Sequence, residues 1–231
     1  MLKLRWIGQG GMILRDETHE ICIDPYLSDV VNRIANRPRA VAPVVEPEDL
    51  ASNVVVCTHN HLDHVDIDAI PRMNKEDKLF LAPDDAREQL LACGVTNYAR
   101  FNEGDRFEIG DFSLEAVLAV HSVPAVGVIV RHRGVTLYIS GDTLYDERLA
   151  ALAAKNVDVM FICINGKLGN MNVEEAIKLT GEISPRVGVP IHYGMFESNT
   201  EDPTKYTSRV PHGFEMTYGQ EYTIEEVLQH V

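Results

Sequence analysis

Residues 59–64 read His-Asn-His-Leu-Asp-His and directly follow an apolar run at 54–57. Three imidazoles and one carboxylate within six positions are poorly suited to a protein core, because every buried polar group there has to be satisfied or neutralised. A metal ion satisfies all of them at once. If the apolar run is a buried strand, these side chains lie on the loop at its C-terminal end, where open α/β architectures usually place their chemistry. The run therefore predicts a metal site.

The spacing within this loop indicates room for two neighbouring metal ions. His59 and His61 alternate and can point the same way, whereas Asp63 and His64 lie further round the loop and face a second position. A structural zinc site would more typically use closely paired thiolates. The four cysteines of this chain are instead scattered singly, at positions 22, 57, 93 and 163. The alternative interpretation is a polar loop with coincidental histidines, and it leaves this density of ligands unexplained.

The length and composition are typical of one globular domain. The chain has 231 residues, of which 45% are hydrophobic, so a single α/β domain over 1–231 is the simplest organisation. No stretch approaches the ~20 apolar residues that span a bilayer, and residues 1–6 indicate a short strand rather than a signal peptide. Dispersed cysteines at apolar positions fit a reducing compartment. We therefore expect a soluble cytoplasmic protein with neither disulfide bonds nor a membrane partner.

The formal net charge of −14 argues against a nucleic-acid or anionic-membrane partner, since phosphates would be repelled wherever Lys and Arg are not concentrated. One local exception is a loop that contains Arg33, Arg37 and Arg39, in which Asp29 is the only acid between positions 28 and 45. Two interpretations remain open. The arginines belong to an ordinary solvated loop, or they clamp a small anionic substrate through the planar donor fork of the guanidinium group.

The hydrophobic pattern predicts two mixed β-sheets with helices packed outside them. Asn172 and Glu175 have the spacing of a capping box at the start of a helix. Residues 28–49 lack a clear period and predict a long irregular excursion near the metal site. Strands are expected at 4–7, 12–14, 21–24, 54–57, 79–82, 107–109, 112–120, 126–131, 135–140, 157–164 and 187–191, and helices at 66–73, 84–93, 146–154 and 173–183.

Further metal-binding side chains stand directly beyond three other predicted strands. His121 follows the strand that ends at position 120, Asp142 lies just past the strand that ends at 140, and His192 follows the strand that ends at 191. A lone histidine is more often a hydrogen-bonded structural residue. Three such residues in order, after a dense ligand loop, indicate much more strongly that all of them meet at one site.

With these residues the chain resembles the metallo-β-lactamase superfamily of hydrolases over nearly its whole length. The resemblance implies a four-layer αββα sandwich, in which two mixed sheets are flanked by helices. It also implies two divalent metal ions bridged by Asp142. The first ion would be held by His59, His61 and His121, and the second by Asp63, His64 and His192.

Three segments, at 141–143, 164–172 and 190–196, are similar to the branch of this superfamily that contains L-ascorbate-6-phosphate lactonase. This similarity implies a cytoplasmic enzyme that opens the lactone of a phosphorylated sugar acid and favours manganese. It also implies assembly into a homo-oligomer. The expected substrate is accordingly small and anionic.

The ligand set predicts the chemistry of the site. Two divalent ions that share Asp142 would hold a water molecule between them and lower its pKa toward neutrality, which yields a hydroxide nucleophile. Asp63, with one carboxylate oxygen free of the ion, could return a proton to the leaving alkoxide. Mixed imidazole and carboxylate ligands suit Mn or Zn, with Fe and Ni as further candidates. The resemblance also implies that a redox di-iron role, as in oxygen-reducing relatives, would show a carboxylate in place of His61, which argues against that role.

Several other residues are candidate substrate contacts, each with a structural alternative. Asn165 and Lys167 follow a buried strand, where a polar turn ahead of a capped helix explains them equally well. Tyr193 reaches the pocket or simply packs, and His212 belongs to the pocket wall or to the surface. Asp24 accepts a hydrogen bond from a ligand histidine or is ordinary turn chemistry.

Two other functions remain open beside the lactonase. One is a phosphodiesterase that acts on a small phosphoester or a cyclic nucleotide with the same nucleophile. The other is a non-catalytic binding protein that keeps the fold. The presence of all seven ligand positions argues against the second, because a decayed site would be expected to lose some of them.

Overall fold

The computed structural model describes residues 1–229, so the last two residues of the predicted 1–231 domain lie outside it. Its strands are β1 (Lys3–Gly8), β2 (Gly11–Arg15), β3 (Glu20–Ile23), β4 (Val54–Val56), β5 (Leu79–Ala82), β6 (Tyr98–Arg100), β7 (Arg106–Ile109), β8 (Phe112–Leu118), β9 (Val126–His132), β10 (Val135–Ile139), β11 (Val159–Cys163), β12 (Val187–Ile191) and β13 (Glu221–Thr223). Its α-helices are α1 (Val30–Ala35), α2 (Arg87–Ala92), α3 (Val173–Ile183), α4 (Thr204–Thr207) and α5 (Ile224–Leu228). Short 3-10 helices are Pro47–Asp49, Ile70–Arg72 and Asp84–Ala86, and a longer one is Glu147–Lys155.

The strands form two mixed sheets. The first has the order β13-β1-β2-β3-β4-β5-β6, and the second has the order β12-β11-β10-β9-β8-β7. In the first sheet β3 to β6 are parallel, whereas β13, β1, β2 and β3 pair antiparallel. In the second sheet β10 to β12 are parallel and β7 to β10 form an antiparallel meander.

The two sheets pack against each other, and alternate side chains along each strand divide between inner and outer layers. Along β4, Val54 and Val56 join the core that includes the second sheet, whereas Val55 belongs to a separate cluster with Leu90 of α2. On the far side, Leu179 of α3 joins the cluster that contains β11. Helices therefore cover sheets that are buried on both faces, and the predicted αββα architecture is confirmed.

Strand direction brings several strand ends to the same edge of each sheet. β1, β3 and β4 run the same way, since β1 and β3 both pair antiparallel with β2 and β4 is parallel to β3. β8, β10, β11 and β12 also share a direction, since β8 and β10 both pair antiparallel with β9. The loops that leave the carboxyl ends of these strands carry the predicted metal ligands.

The helix predicted at 66–73 is wrong, because only Ile70–Arg72 is helical and forms a single 3-10 turn. The carboxylate of Asp66 accepts backbone hydrogen bonds from Ala69 at 2.9 Å and from Leu27 in a neighbouring loop at 2.9 Å. Local side-chain to backbone bonds of this kind compete with helix formation. The Asp66 side chain therefore links its own loop to the loop that contains Leu27 by hydrogen bonds.

The helix predicted at 146–154 forms as a 3-10 helix. Its buried residues Leu149 and Leu152 are three positions apart, which matches the three-residue turn that stacks i over i+3. The predicted excursion at 28–49 contains the short helix α1. Four other short elements, β6, α4, β13 and α5, have too few residues for a period to show in the sequence.

The capping box predicted ahead of α3 is confirmed. The side chain of Asn172 accepts the N–H of Glu175 at 3.0 Å, and the Glu175 carboxylate accepts the N–H of Asn172 at 3.0 Å. The four cysteines are all buried free thiols. None of the helices within residues 1–229 combines the length and the apolarity needed to cross a bilayer.

Candidate metal centre

The predicted ligands leave the carboxyl ends of four strands and meet at one end of the sandwich. The loop at 59–64 follows β4, His121 and Asp142 lie beyond β8 and β10, and His192 directly follows β12. Their ligand atoms form groups in which all atoms lie within 4.8 Å of one another: His59 with His61 and His121, His59 with His64 and Asp142, and Asp63 with His64 and His192.

The first group consists of three imidazoles that face one another through their ring nitrogens. His61 Nδ1 lies 3.0 Å from His59 Nε2 and 3.1 Å from His121 Nε2. The other ring nitrogen of His121 lies 3.0 Å from the Gly169 carbonyl. Because a carbonyl can only accept, Nδ1 of His121 carries the proton and its Nε2 presents a lone pair to the group.

The second group consists of Asp63, His64, Asp142 and His192 and combines imidazoles with carboxylates. His64 Nε2 and His192 Nε2 each lie 3.9 Å from Asp63 Oδ2. They also lie 3.4 Å and 3.0 Å from Asp142 Oδ1, whereas the other oxygen of that carboxylate, Oδ2, is 3.9 Å from His121 Nε2. Asp142 thus presents one oxygen to each group, which is the arrangement expected of a bridging ligand.

Two neighbouring ligand atoms, His64 Nε2 and Asp142 Oδ1, are among the buried atoms of the centre that have no hydrogen bond. They are close enough to interact but are not aligned as donor and acceptor. Buried polar atoms without a partner are uncommon and call for a specific explanation. A cation between them supplies one, because both atoms would then direct lone pairs at it.

The pKa values of His59 and Asp142 also suit a cation. Burial lowers the pKa of His59 well below its usual value, and the neighbouring ring of His64 lowers it further. Burial by itself would raise the pKa of Asp142, but the rings of His192 and His64 bring it well below its usual value. The centre therefore offers a neutral imidazole and an ionised carboxylate, which are the ligand forms that metals bind. These residues fit divalent cations.

A shell of hydrogen bonds orients the ligands. Asp24 Oδ2 lies 2.8 Å from His64 Nδ1, and both side chains are fully buried. Asp24 also accepts the backbone N–H and the hydroxyl of Thr58, each at 2.7 Å. Asp24 and His192 adopt left-handed backbone conformations, with φ of 46° and 63°. Conformations of this kind are costly and concentrate at functional sites.

Gln9 belongs to the same centre and is not among the predicted residues. It is fully buried, and its Nε2 donates to Asp63 Oδ2 at 2.9 Å and lies 3.3 Å from His192 Nε2. The available signal in the sequence is its position at the end of an apolar strand, within a glycine-rich turn at 8–11. Glutamine is a less common metal ligand than histidine, and this signal is correspondingly weak.

The arginines of the predicted clamp make different contacts. Arg33 forms a bidentate ion pair with Asp68, at 2.8 and 2.6 Å. Arg39 donates to the carbonyl groups of Tyr26 and Ser28 at 3.1 and 2.7 Å. Protein acceptors therefore occupy two of the three guanidinium groups. Arg37 is partly exposed, and within the described residues no hydrogen bond or ion pair involves it.

The predicted substrate contacts after β11, Asn165 and Lys167, form hydrogen bonds within the protein. Asn165 is buried, and its amide donates to Asn199 Oδ1 at 2.8 Å and accepts from Asn170 at 3.0 Å. Lys167 is exposed and donates to the Ser198 carbonyl at 3.1 Å. This network shapes the loop at 165–171, whose Gly169 carbonyl contacts His121.

The remaining two candidates, Tyr193 and His212, are not members of the clustered ligand groups. Tyr193 is only 8% exposed, and its ring centroid lies 4.8 Å from that of Trp6. Together they line a cavity of about 260 Å³ with Met195 and Tyr218. His212 is exposed and has a φ of 54°. Tyr193 therefore packs beside the centre, and His212 stands at the surface.

A larger cavity of about 640 Å³ adjoins the first group of imidazoles and includes His121 in its wall. Asp84, Asp85 and Glu103 line the same space, together with Arg148. That arginine is held by Asp146, at 2.8 and 2.9 Å. The cavity offers a small molecule an approach to the metal ligands.

Comparisons with known proteins agree with this geometry. Residues 19–193 match the family described as Beta-lactamase superfamily domain. A UPF0173 metal-dependent hydrolase of Deinococcus radiodurans is 27% identical over 215 residues, which cover 89% of this chain and 90% of that protein.

Two solved structures are similar in fold. Igni18, a novel metallo hydrolase from the hyperthermophilic archaeon Ignicoccus hospitalis, is 22% identical with a TM-score of 0.77, over 96% of this chain and 97% of that one. A possible metal-dependent hydrolase from Veillonella parvula is 17% identical with a TM-score of 0.82, over 97% and 100% of the two chains. At these identities the likeness concerns the fold alone. The family match covers well over half of the chain, and the chain therefore belongs to the β-lactamase superfamily domain family, with the metallo-β-lactamase fold.

Proposed function

We propose that this chain is a metal-dependent hydrolase that holds two divalent cations, Mn or Zn in the first instance. The observation that carries the proposal is the convergence of seven imidazole and carboxylate side chains from four strand ends into groups whose ligand atoms lie within 4.8 Å of one another. The description of the Deinococcus relative as a metal-dependent hydrolase supports the same class of activity.

The proposed ligands divide as the resemblance implies. One cation would be held by His59, His61 and His121, the other by Asp63, His64 and His192, and Asp142 would contact both. When bound, the cations supply Lewis acidity and lower the pKa of a shared water molecule toward neutrality. The protein's part is to orient these ligands, through Asp24 on His64 and the Gly169 carbonyl on His121.

Asp63 is the proposed group for proton return to the leaving oxygen. Its side chain is 19% exposed, whereas those of His64 and His192 are 0% and 2% exposed, so substrate can reach it. Its Oδ2 is the oxygen that faces those two imidazoles. Among the described residues no hydrogen bond is made to its Oδ1, which leaves that oxygen available to hold a proton.

We further propose a small carboxylic ester as the substrate, with the lactone of a phosphorylated sugar acid as the first candidate. Support comes from the sequence segments at 164–172 and 190–196 and from Arg37, whose guanidinium group makes no hydrogen bond or ion pair with any residue in 1–229. The backbone N–H of Ala40 donates to the Met195 carbonyl at 2.7 Å, so the arginine loop is attached to the loop that follows His192. Cytoplasmic location and homo-oligomeric assembly stay predictions.

Metal analysis and a matched substrate panel test the proposal. Protein purified without chelators would be analysed for metal content, then assayed with phosphorylated lactones, plain lactones and a generic phosphodiester. Hydrolysis of lactones alone is the expected result. Hydrolysis of the diester alone would replace the lactonase with a phosphodiesterase, and a fully metallated protein with no turnover of either class would contradict the proposed activity.

A further inference from the structure

Gln9 occupies a position in the centre that a hydrogen-bonding role alone does not explain. Its backbone has a φ of 49°, which is costly for a residue other than glycine. Its backbone carbonyl accepts two buried donors, Trp6 Nε1 and the N–H of His192, both at 3.0 Å. These contacts fix the backbone so that the side chain extends to Asp63 and His192.

The distances from the terminal amide atom of Gln9 to Asp63 and His192 are close to those expected between ligands of one metal ion. For metal–ligand bonds of about 2.1 Å, neighbouring ligand atoms are separated by about 3.0 Å in an octahedral site and about 3.4 Å in a tetrahedral one. Within the second group, His192 Nε2 is 3.0 Å and His64 Nε2 is 3.4 Å from Asp142 Oδ1. The Gln9 amide atom lies 2.9 Å and 3.3 Å from its two neighbours, close to this range, whereas Asp63 Oδ2 is further, at 3.9 Å, from both imidazole nitrogens.

The orientation of the amide depends on what lies between these atoms. As the structure stands, Nε2 donates to Asp63, and Oε1 is buried without a partner. Rotation of the amide by about 180° exchanges the two atoms and directs Oε1 at the ligand atoms of Asp63 and His192. Three acceptors would repel one another there unless a cation lies among them. A cation makes that orientation favourable.

We propose that Gln9 is a further ligand of the second cation and binds it through Oε1. This inference rests on the proposed two-cation site. The second cation then has three oxygen donors, from Gln9, Asp63 and Asp142, beside two imidazoles. The first cation has three imidazoles and a single shared carboxylate. Because oxygen donors favour harder ions, the affinity of the second position for Mn²⁺ relative to Zn²⁺ is higher than that of the first.

Metal binding by Gln9 variants tests the proposal without an assay of activity. Protein stripped with a chelator would be titrated with Mn²⁺ and, separately, with Zn²⁺, by calorimetry and by metal analysis after dialysis. Gln9→Met keeps the length of the side chain and removes the oxygen, whereas Gln9→Glu keeps an oxygen at the same reach. Gln220→Met, at an exposed position, is the matched control.

Wild type and Gln220→Met are expected to bind two equivalents of Mn²⁺. Gln9→Met is expected to keep the first and to bind the second at least about 10-fold more weakly, with a smaller loss for Zn²⁺. Gln9→Glu is expected to bind both equivalents. This second variant keeps the proposal testable if Gln9→Met fails to fold. Two equivalents of unchanged affinity in Gln9→Met, or loss of the second in Gln9→Glu, would overturn the role of Gln9. A single equivalent in the wild type would instead refute the two-cation site itself.

Discussion

Asp24 Oδ2 lies 2.8 Å from Nδ1 of His64, with both side chains fully buried. A buried imidazole next to a carboxylate keeps its proton on the nitrogen that faces that carboxylate. The other nitrogen, Nε2, is the one without a hydrogen bond in the centre. Asp24 therefore determines which nitrogen of His64 is available to a metal, although it is not a member of the clustered ligand groups.

Asp24→Asn is expected to weaken metal binding and to destabilise the fold. One carboxylate oxygen of Asp24 accepts the Thr58 N–H, and the other faces the Thr58 hydroxyl and His64 Nδ1. An amide has only one oxygen, so one buried donor loses its acceptor. We expect metal affinity to fall by about 10–100-fold and the free energy of unfolding to fall by about 1–3 kcal/mol. Titration with Mn²⁺ and urea unfolding measure the two effects. Asp77→Asn, at an exposed position, should change neither, and normal metal affinity in Asp24→Asn would contradict the orienting role.

Removal of metal by a chelator is expected to lower the melting temperature. A ligand that binds only the folded state adds about 2.7 kcal/mol of stability at 100 times its dissociation constant. For a chain of this size the corresponding shift is roughly 5–10 °C. Differential scanning calorimetry with and without chelator, followed by addition of Mn²⁺, measures the loss and its recovery. An identical melting temperature in all three samples would show that the clustered side chains bind no metal under those conditions.

Asp63→Asn is expected to separate metal binding from turnover. The amide retains an oxygen that can face the second cation but cannot carry a proton to the leaving group. We expect metal content to stay near that of the wild type, while kcat falls by about 10²–10⁴. Metal analysis and steady-state kinetics on the same preparation make the comparison. If kcat is unchanged, Asp63 acts only as a ligand.

The gathering of seven ligands could be predicted because each lies in the loop that leaves an apolar strand. His121 and His192, for example, are separated by 71 positions in the sequence, but β8 and β12 run the same way in one sheet. Polar residues that follow apolar runs in the sequence are therefore brought together in space, because their strands share a direction within a sheet. The capping box at Asn172 could be predicted for a similar reason, since it depends only on residues three apart.

Other features depend on long-range contacts that no local pattern carries. Gln9 joins the centre because β1 pairs antiparallel with β2 and so shares the direction of β3. Arg33 is paired with Asp68, which lies 35 positions away, and that contact is a property of how two loops meet. The turn around Asp66 likewise depends on a bond to Leu27. In each case the decisive partner is supplied by the tertiary structure.

Arg37→Ala tests whether the arginine loop binds a phosphate group. If it does, the KM for a phosphorylated lactone should rise by roughly 10-fold or more, the scale of a lost hydrogen bond between charged groups, and the KM for the unphosphorylated lactone should change little. Arg33→Ala is the matched control, because Arg33 is already paired with Asp68. Equal effects of Arg37→Ala on both lactones would remove the phosphate contact from the proposal.

Glu115 stabilises the second sheet in a way that depends on pH in the acid range. Its side chain is 8% exposed. Burial by itself would raise the pKa of Glu115, but hydrogen bonds from Lys155, Arg131 and Arg106 lower it from 4.5 to about 2. Because the pKa in the folded state lies below that of the free side chain, the stabilisation is present above about pH 4.5 and is lost as the pH falls to about 2.

Glu115→Gln is therefore expected to reduce the free energy of unfolding at pH 7 by about 1–3 kcal/mol, with a difference from wild type that shrinks between about pH 4.5 and pH 2. Urea unfolding at a series of pH values measures it. Glu108→Gln, on the exposed face of the neighbouring strand β7, controls for the loss of one negative charge. A difference that stays constant across this range would show that packing of the side chain, and not its ionised form, stabilises the sheet.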